Sequence, residues 1–98
     1  MAIKKQFLKS RPVCKVTFSV DAQGAGQVSV VGDFNAWDPK AGALKKFKEG
    51  NFKGTFELPK EKSYEFRYLI DDRFSNDPEA DRYQWNEFAG TENGVLEL

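Results

Sequence analysis

The sequence predicts an all-β protein, an antiparallel β-sandwich of about seven strands. Apolar and polar residues alternate in several segments, and clusters of Gly, Asn, Asp and Pro separate those segments. No stretch shows the 3.6-residue period and the capping residues of a helix. Alternation at period two is typical of strands with one buried face, and two sheets bury such faces against each other. The 98 residues have room for one small domain with one core.

The predicted strands follow one another along the chain with short turns between them. CKVTFSV places every second residue from Cys14 to Val20 on one face, and VSVV follows after a glycine-containing turn. ALKKF is a short third strand, and FKGTFEL alternates again. SYEFRYLI is the clearest strand, with its aromatic residues on one face and Arg67 on the other. Phe74 begins a short return strand, and VLEL closes the domain.

The twenty residues SNDPEADRYQWNEFAGTENG, before the last strand, are predicted to be irregular. Loops of this length in compact domains tend to be functional or disordered. Tyr83, Trp85 and Phe88 argue against disorder, because aromatic side chains favour burial. We expect Trp85 to anchor this segment onto the sandwich.

Residues 1–11 are predicted to be a basic, solvated tail, and residues 12–98 the single sandwich domain. The weaker alternative for the tail is an arm that binds nucleic acid. Over the whole chain, 15 Lys and Arg balance 15 Asp and Glu, which argues against nucleic acid or an anionic membrane as the main partner. The N-terminus lacks an apolar signal-peptide region, and no run approaches the ~18 apolar residues of a membrane span. The sequence therefore predicts a cytoplasmic protein.

The residue types of most catalytic sites are missing from the sequence. Without histidine there is no Ser-His-Asp or Cys-His arrangement and no usual zinc site. Cys14, the single cysteine, lies in an alternating stretch and is expected to be a small buried hydrophobe. We expect no enzymatic activity and no cofactor. The remaining acidic residues lie in turns and are expected to form a solvated face rather than a glycosidase pair: Asp71, Asp72, Asp77, Glu79 and Asp81.

A tryptophan in a turn is the most unusual feature of the sequence. Trp37 lies in GDFNAWDP, after an apolar strand and before Pro39. Asn35 and Asp38 are expected to stabilise this turn through hydrogen bonds from their side chains to the backbone. The turn would then present the indole at the surface, although a partly buried position at the edge of the core is the alternative.

Three motifs resemble the family 48 carbohydrate-binding module: GDFNAWDP, YEFRYLIDDRFSNDPEAD and GTENGVLEL. The resemblance covers Val13 to Leu98. It implies an immunoglobulin-like sandwich of the early-set type, found in glycogen-branching and debranching enzymes and in the β-subunit of AMP-activated kinase. It further implies non-catalytic binding of an α-1,4-glucan such as glycogen, starch or a maltooligosaccharide. A glycogen-metabolism enzyme is the implied protein partner.

The resemblance also implies roles for individual residues. Trp37 would stack on the glucan, while Phe34 would turn inward to the core. Phe74 stands where the family has a second stacking aromatic, often tryptophan. The ligand-binding residues expected on this basis, with Asn35 of the same turn included, are Trp37, Arg67, Phe74, Thr91, Asn93 and Asn35.

The sequence also departs from the family pattern, and other interpretations stay open. Asp72 replaces a common glycine and is expected to adopt a positive φ, and Ala89 or Phe88 stands where a leucine often contacts the glucan. Arg67 could be a solvated charge or a cross-strand partner of Glu57. Phe74 fits the core as well as a platform, and Thr91 and Asn93 fit turn chemistry. The alternative function is an interaction or regulatory domain, associated with a glycoside hydrolase or another glycogen-metabolism partner, that has lost sugar binding.

Overall fold

A computed structural model describes residues 2–47, 50–88 and 90–98. These residues form nine strands and a single 3₁₀ turn at Asp33–Asn35. No helix among them has the length and hydropathy that a membrane span needs. The strands are β1 (Ala2–Phe7), β2 (Val13–Asp21), β3 (Val28–Gly32), β4 (Lys45–Lys46), β5 (Asn51–Pro59), β6 (Ser63–Ile70), β7 (Arg73–Ser75), β8 (Arg82–Asn86) and β9 (Thr91–Glu97).

The strands form two antiparallel sheets, which confirms the predicted all-β fold. The first sheet has the order β1-β2-β5-β4, and the second has the order β3-β6-β9-β8. The short strand β7 pairs with the second half of β6, next to the segment that pairs with β9. The central position of β6 matters for function, because its outward face runs along the middle of the second sheet.

The core lies between the two sheets and contains the inward residues that the alternation predicts. Phe18 on β2 and Phe66 on β6 are fully buried, with their ring centroids 5.5 Å apart. Phe34 packs against them from the 3₁₀ turn, its ring stacked 6.0 Å from that of Phe18. Burial of a phenylalanine side chain contributes about 1.5–3 kcal/mol. This aromatic cluster therefore joins the two sheets and also holds the turn that carries Trp37.

The N-terminal segment is a strand rather than a solvated tail. Residues 2–7 pair with β2 over six consecutive positions, from Ala2 opposite Ser19 to Phe7 opposite Cys14. Ile3 packs against the core, and the Lys5 ammonium donates to Asp81 at 2.6 Å and to the Glu97 carbonyl at 3.0 Å. The lysines that suggested a tail belong to an edge strand, where lysine is common because it discourages pairing with other chains.

The long segment before β9 is more regular than predicted, because it contains β8. Buried Asp77 fixes its start, accepting a hydrogen bond from the Tyr68 hydroxyl at 2.6 Å and one from the Glu79 N–H at 2.8 Å. Burial, together with the adjacent Asp77 carboxylate, raises the pKa of the Tyr68 hydroxyl well above its ordinary value. The prediction that Asp77 belongs to a solvated acidic face was therefore wrong.

A second acidic residue, Asp71, also has a structural role. Its φ is 55°, so Asp71, and not Asp72, takes the positive φ expected in this turn. The Asp71 carboxylate accepts the N–H groups of Gly26 and Gln27, each at 3.0 Å. A short polar side chain tolerates this backbone conformation because it can form such hydrogen bonds.

Candidate functional site

The turn after β3 is built by close backbone packing and by one asparagine. A Cβ on Gly32 would lie 2.5 Å from the Glu65 carbonyl oxygen, so only glycine fits where β3 ends against β6. The Asn35 side chain accepts the Gly32 N–H at 3.0 Å and donates to the Val30 carbonyl at 2.9 Å. Both ends of the Asn35 amide are thus used inside the turn, and its side chain shapes the turn.

The same turn places Trp37 in an uncommon backbone conformation. Ala36 and Trp37 have φ values of 55° and 58°, in the left-handed region that is an outlier for a bulky residue. The Trp37 N–H donates to the Gly32 carbonyl at 3.0 Å, and the Asp38 carboxylate accepts the Lys40 N–H at 2.9 Å. Such conformations persist where the surrounding structure determines them, and they cluster at functional sites.

Asp33 connects the indole of Trp37 to the second sheet. The indole N–H donates to Asp33 Oδ1 at 3.2 Å, and the backbone N–H of Glu65 donates to Asp33 Oδ2 at 2.9 Å. Trp37 is half-buried rather than bare at the tip of the turn. Its position is therefore fixed, and one part of the indole faces an open depression in the surface.

This depression, which we call the Trp37 depression, has aromatic, amide and carboxylate groups in its wall. Trp37 and Trp85 both line it, together with Glu65 and Asn93. The fully exposed Phe88 is at its margin. Ala89, the other residue aligned with the family leucine, lies outside the described residues.

Asn93, which lines the Trp37 depression, carries an unusual polar atom. The residue is 2% exposed, and its Nδ2 donates to Glu65 Oε1 at 3.2 Å. Its Oδ1 is buried and has no hydrogen-bond partner within the part of the chain that the structure describes. A buried acceptor without a donor costs about 1–3 kcal/mol, so a hydroxyl group that reached this oxygen would be favoured. Thr91 lies two residues earlier on the same face of β9, at its first position.

Arg67 and Phe74 form a second group along the outward face of β6. The Arg67 guanidinium carbon lies 5.1 Å from the centre of the Phe74 ring, which is 55% exposed. Arg67 Nε is buried and has no hydrogen-bond partner among the described residues. Arg67 does not pair with Glu57, which lies in the other sheet and forms an ion pair with Arg11 at 2.7 Å. Phe74 is at the surface, outside the core.

The register of the second sheet relates the two groups to each other. Glu65, Arg67 and Leu69 share one face of β6, because alternate residues point the same way. Glu65 borders the Trp37 depression, and Leu69 is opposite Phe74 on β7. Four residues of a strand extend over about 13 Å. The Trp37 depression and Phe74 therefore lie at opposite ends of one stretch of surface, with Arg67 between them on β6.

Trp85 is placed differently from the expectation drawn from the sequence. Instead of anchoring a loop, it lies in β8 and is 57% exposed. Its indole N–H makes no hydrogen bond within residues 2–47, 50–88 and 90–98, in contrast to that of Trp37. The polar neighbours Gln84 and Asn86 were the available signal, since a tryptophan that anchors a loop is expected among apolar residues.

A small two-sheet sandwich with exposed aromatic side chains at an open depression has the general form of a carbohydrate-binding module. Residues 15–98 match the family described as the glycogen recognition site of AMP-activated protein kinase. The chain therefore belongs to this family, which is a carbohydrate-binding module of the family 48 type and a non-catalytic domain. No curated protein matches the chain.

Proposed function

We propose that this protein binds α-1,4-glucan, in the form of glycogen, starch or maltooligosaccharide, without catalysing a reaction on it. The observation that carries the proposal is the Trp37 depression, which is lined by a fixed indole and by Asn93, a residue with a buried, unpaired acceptor. Arg67, Thr91 and Phe74 extend the binding surface along the second sheet. In this proposal the protein acts in the cytoplasm beside a glycogen-metabolism enzyme.

The chemistry of the depression suits a glucose ring. A pyranose exposes C–H groups on its faces and hydroxyl groups around its edge, so an indole can cover one face while polar groups bind the edge. Trp37 supplies the apolar surface, and its fixed position lowers the entropy lost on binding. Asn93 Oδ1 can accept a hydroxyl hydrogen once a small movement of its side chain exposes it, and the Arg67 guanidinium can donate to hydroxyl oxygens.

The expected affinity is modest. Covering tens of Å² of apolar area at each stacked ring contributes roughly 1–2 kcal/mol, and each hydroxyl hydrogen bond adds about 0.5–1.5 kcal/mol net. The cost of association offsets part of this sum. We therefore expect a dissociation constant of roughly 10 µM to 1 mM for a single chain end. A branched polysaccharide presents many ends and raises the apparent affinity by avidity where several modules act together.

Truncation of Trp37 tests the proposal. We expect Trp37→Ala to weaken maltoheptaose binding at least about tenfold in titration calorimetry, because stacking and the fixed geometry are lost together. The matched control is Phe7→Ala, which removes an exposed aromatic ring from β1 in the other sheet and should leave affinity unchanged. Trp37 is half-buried, so circular dichroism must show that the variant is folded at the titration temperature. Equal loss in both variants, or in neither, contradicts the proposal.

A second candidate function is an interaction domain that has lost sugar binding. The arrangement of Phe74 favours it, because Arg67 already lies over this ring, and a sugar would have to displace the guanidinium. Native electrophoresis in a gel that contains glycogen distinguishes the two functions. A glucan-binding module is retarded in this gel relative to a gel without glycogen, whereas an interaction domain migrates equally in both. Incubation with amylopectin should release no reducing sugar.

A further inference from the structure

Asn93 and Arg67 follow one another across the second sheet, and each holds a polar atom without a partner. Phe66 on β6 pairs with Gly94 on β9, so Arg67 and Asn93 are the next residues of the two strands. Both share the outward face of the sheet with Glu65. Arg67 Nε is a donor and Asn93 Oδ1 an acceptor, and both are buried without a hydrogen bond to any described residue.

The two unpaired groups are complementary, and the position of Glu65 accounts for their separation. Glu65 is opposite Val95, two residues from Asn93 on β9, which makes Glu65 and Asn93 diagonal neighbours. The Asn93 amide is directed to this neighbour, and its Nδ2 donates to Glu65 Oε1 at 3.2 Å. An ionised carboxylate accepts hydrogen bonds and cannot donate them, so it selects the nitrogen of the amide. The Glu65 side chain therefore fixes which end of the amide stays free.

A free acceptor at Asn93 determines what kind of group can bind there. Asn93 Oδ1 can accept the hydrogen of a sugar hydroxyl, and Arg67 can donate to a hydroxyl oxygen. Leaving a buried donor or acceptor without a partner is costly, so a ligand that supplies both partners gains from both. Because Oδ1 is buried, a small rotation of the amide about its bond to Glu65 must precede contact with the ligand.

The backbone and the side chain of Glu65 support different parts of the Trp37 depression. The backbone N–H donates to Asp33 Oδ2, and Asp33 Oδ1 accepts the indole N–H of Trp37. The carboxylate binds Asn93. A substitution of the Glu65 side chain therefore releases Asn93 and leaves the support of Trp37 in place.

We infer that Glu65 is a positioning residue of the glucan site, whose carboxylate holds the Asn93 amide so that its oxygen is kept as an acceptor for a sugar hydroxyl. The inference rests on the proposed function, since it names the residue that sets the hydrogen-bond polarity of that site. Glu65 acts through Asn93 and does not have to touch the glucan. Without the carboxylate, the amide oxygen can turn to Arg67, and both unpaired atoms are then lost to the ligand.

Titration calorimetry with maltoheptaose tests this role. Glu65→Ala should weaken binding about two- to tenfold, as one positioned hydrogen bond is lost. Glu65→Gln should stay within about twofold of the wild type, because its amide oxygen can still accept from Asn93 Nδ2. The matched control is Glu92→Gln, which removes an exposed carboxylate of β9 on the opposite face from Asn93 and should leave affinity unchanged. Equal losses in Glu65→Ala and Glu65→Gln, or wild-type affinity in Glu65→Ala, would overturn the inference.

A double-mutant cycle shows whether Glu65 acts through Asn93. Glu65→Ala and Asn93→Ala should each lose affinity for maltoheptaose, and the double variant should bind no more weakly than Asn93→Ala alone. Additive losses would indicate an independent contact or a general loss of structure, and they would overturn the inference.

The side-chain amide of Asn93 gives a readout that needs no ligand. In nitrogen–proton correlation spectra its NH₂ signals should move in Glu65→Ala and keep their wild-type positions in Glu92→Gln. Wild-type signals in Glu65→Ala would overturn the inference while the proposed function stood. Absence of glucan binding by the wild-type protein would instead refute the proposed function.

Discussion

Asp33 is predicted to position the Trp37 platform, and its removal separates positioning from stacking. In Asp33→Ala, the indole N–H of Trp37 loses its acceptor at 3.2 Å, and the Glu65 N–H loses its acceptor at 2.9 Å. In Asp33→Asn, the amide oxygen can still accept one of these two hydrogen bonds. Neither variant removes an aromatic ring. The expected loss of binding comes mainly from the freedom that Trp37 gains.

The expected losses of stability and of affinity can be worked out from the exposure of Asp33. Its carboxylate lies at the surface, so water can replace part of each hydrogen bond, and each bond contributes about 0.5–1.5 kcal/mol to stability. We expect Asp33→Ala to lower the free energy of unfolding by about 1–3 kcal/mol, and Asp33→Asn by roughly half as much. Reordering a freed side chain on binding costs about 0.5–1.5 kcal/mol. Affinity for maltoheptaose should therefore fall about two- to tenfold in Asp33→Ala.

Urea unfolding and titration calorimetry measure the two effects on the same samples. The order of stability and of affinity should be the same: wild type, then Asp33→Asn, then Asp33→Ala. A stability loss with unchanged affinity would show that Asp33 only secures the end of β3 against β6. That result would refute its role in positioning Trp37.

Three further changes test the framework that carries the site. Tyr68→Phe leaves the buried Asp77 carboxylate without its hydroxyl donor and should cost about 1.5–3 kcal/mol in urea unfolding; an unchanged midpoint would contradict the assigned bond. The raised pKa of Tyr68 makes its contribution complete below pH ~10 and progressively lost above it, so alkaline destabilisation measured by urea unfolding should be smaller in Tyr68→Phe. Gly32→Ala forces a Cβ toward the Glu65 carbonyl and should lower the free energy of unfolding by about 1–3 kcal/mol, as seen in thermal melts; a wild-type melt would contradict this tight approach. Lys5→Ala removes a partly exposed ion pair and should cost less than about 1 kcal/mol in urea unfolding, with faster hydrogen exchange in β1; unchanged exchange would contradict the docking of this strand.

The sandwich could be predicted because its interior strands show their burial directly in the sequence. In β2, β5 and β6 one face is apolar and the other polar, and a shift by one residue would expose the whole apolar set. The seven predicted strands are present, and the two missed strands, β1 and β8, lie at sheet edges. Edge strands bury less apolar surface and carry more charge, so alternation gives them little signal.

The burial of Asp77 could not be predicted from its neighbours in sequence. Asp77 stands in a run of acidic and turn-forming residues, which is typical of a solvated segment. Its partner Tyr68 lies nine residues earlier on β6, and the pairing depends on how the segment after β7 returns across the sheet. A tertiary contact of this kind leaves no local pattern.

For the candidate site, the motif around Trp37 indicated one platform, but only the strand register shows what lies beside it. Asn93 reaches the Trp37 depression because β9 pairs with β6, so that its amide contacts Glu65. Trp85 borders the same depression from β8, but the pairing of β8 with β9 sets Gln84, and not Trp85, opposite Asn93. Sequence distance does not report these pairings. Trp85 was therefore assigned to a loop, although it lies on a paired strand.

The two aromatic residues on either side of the Trp37 depression differ in how available they are to a ligand. The Phe74 ring carries the Arg67 guanidinium at 5.1 Å, an arrangement that stabilises by about 0.5–1 kcal/mol at an exposed site. A sugar that stacked on that face would have to displace the guanidinium, so part of its binding energy would be lost. The indole of Trp85 makes no such contact among the described residues and exposes the larger ring system. The face of the Phe74 ring that carries Arg67 is therefore less available to a ligand than the indole of Trp85.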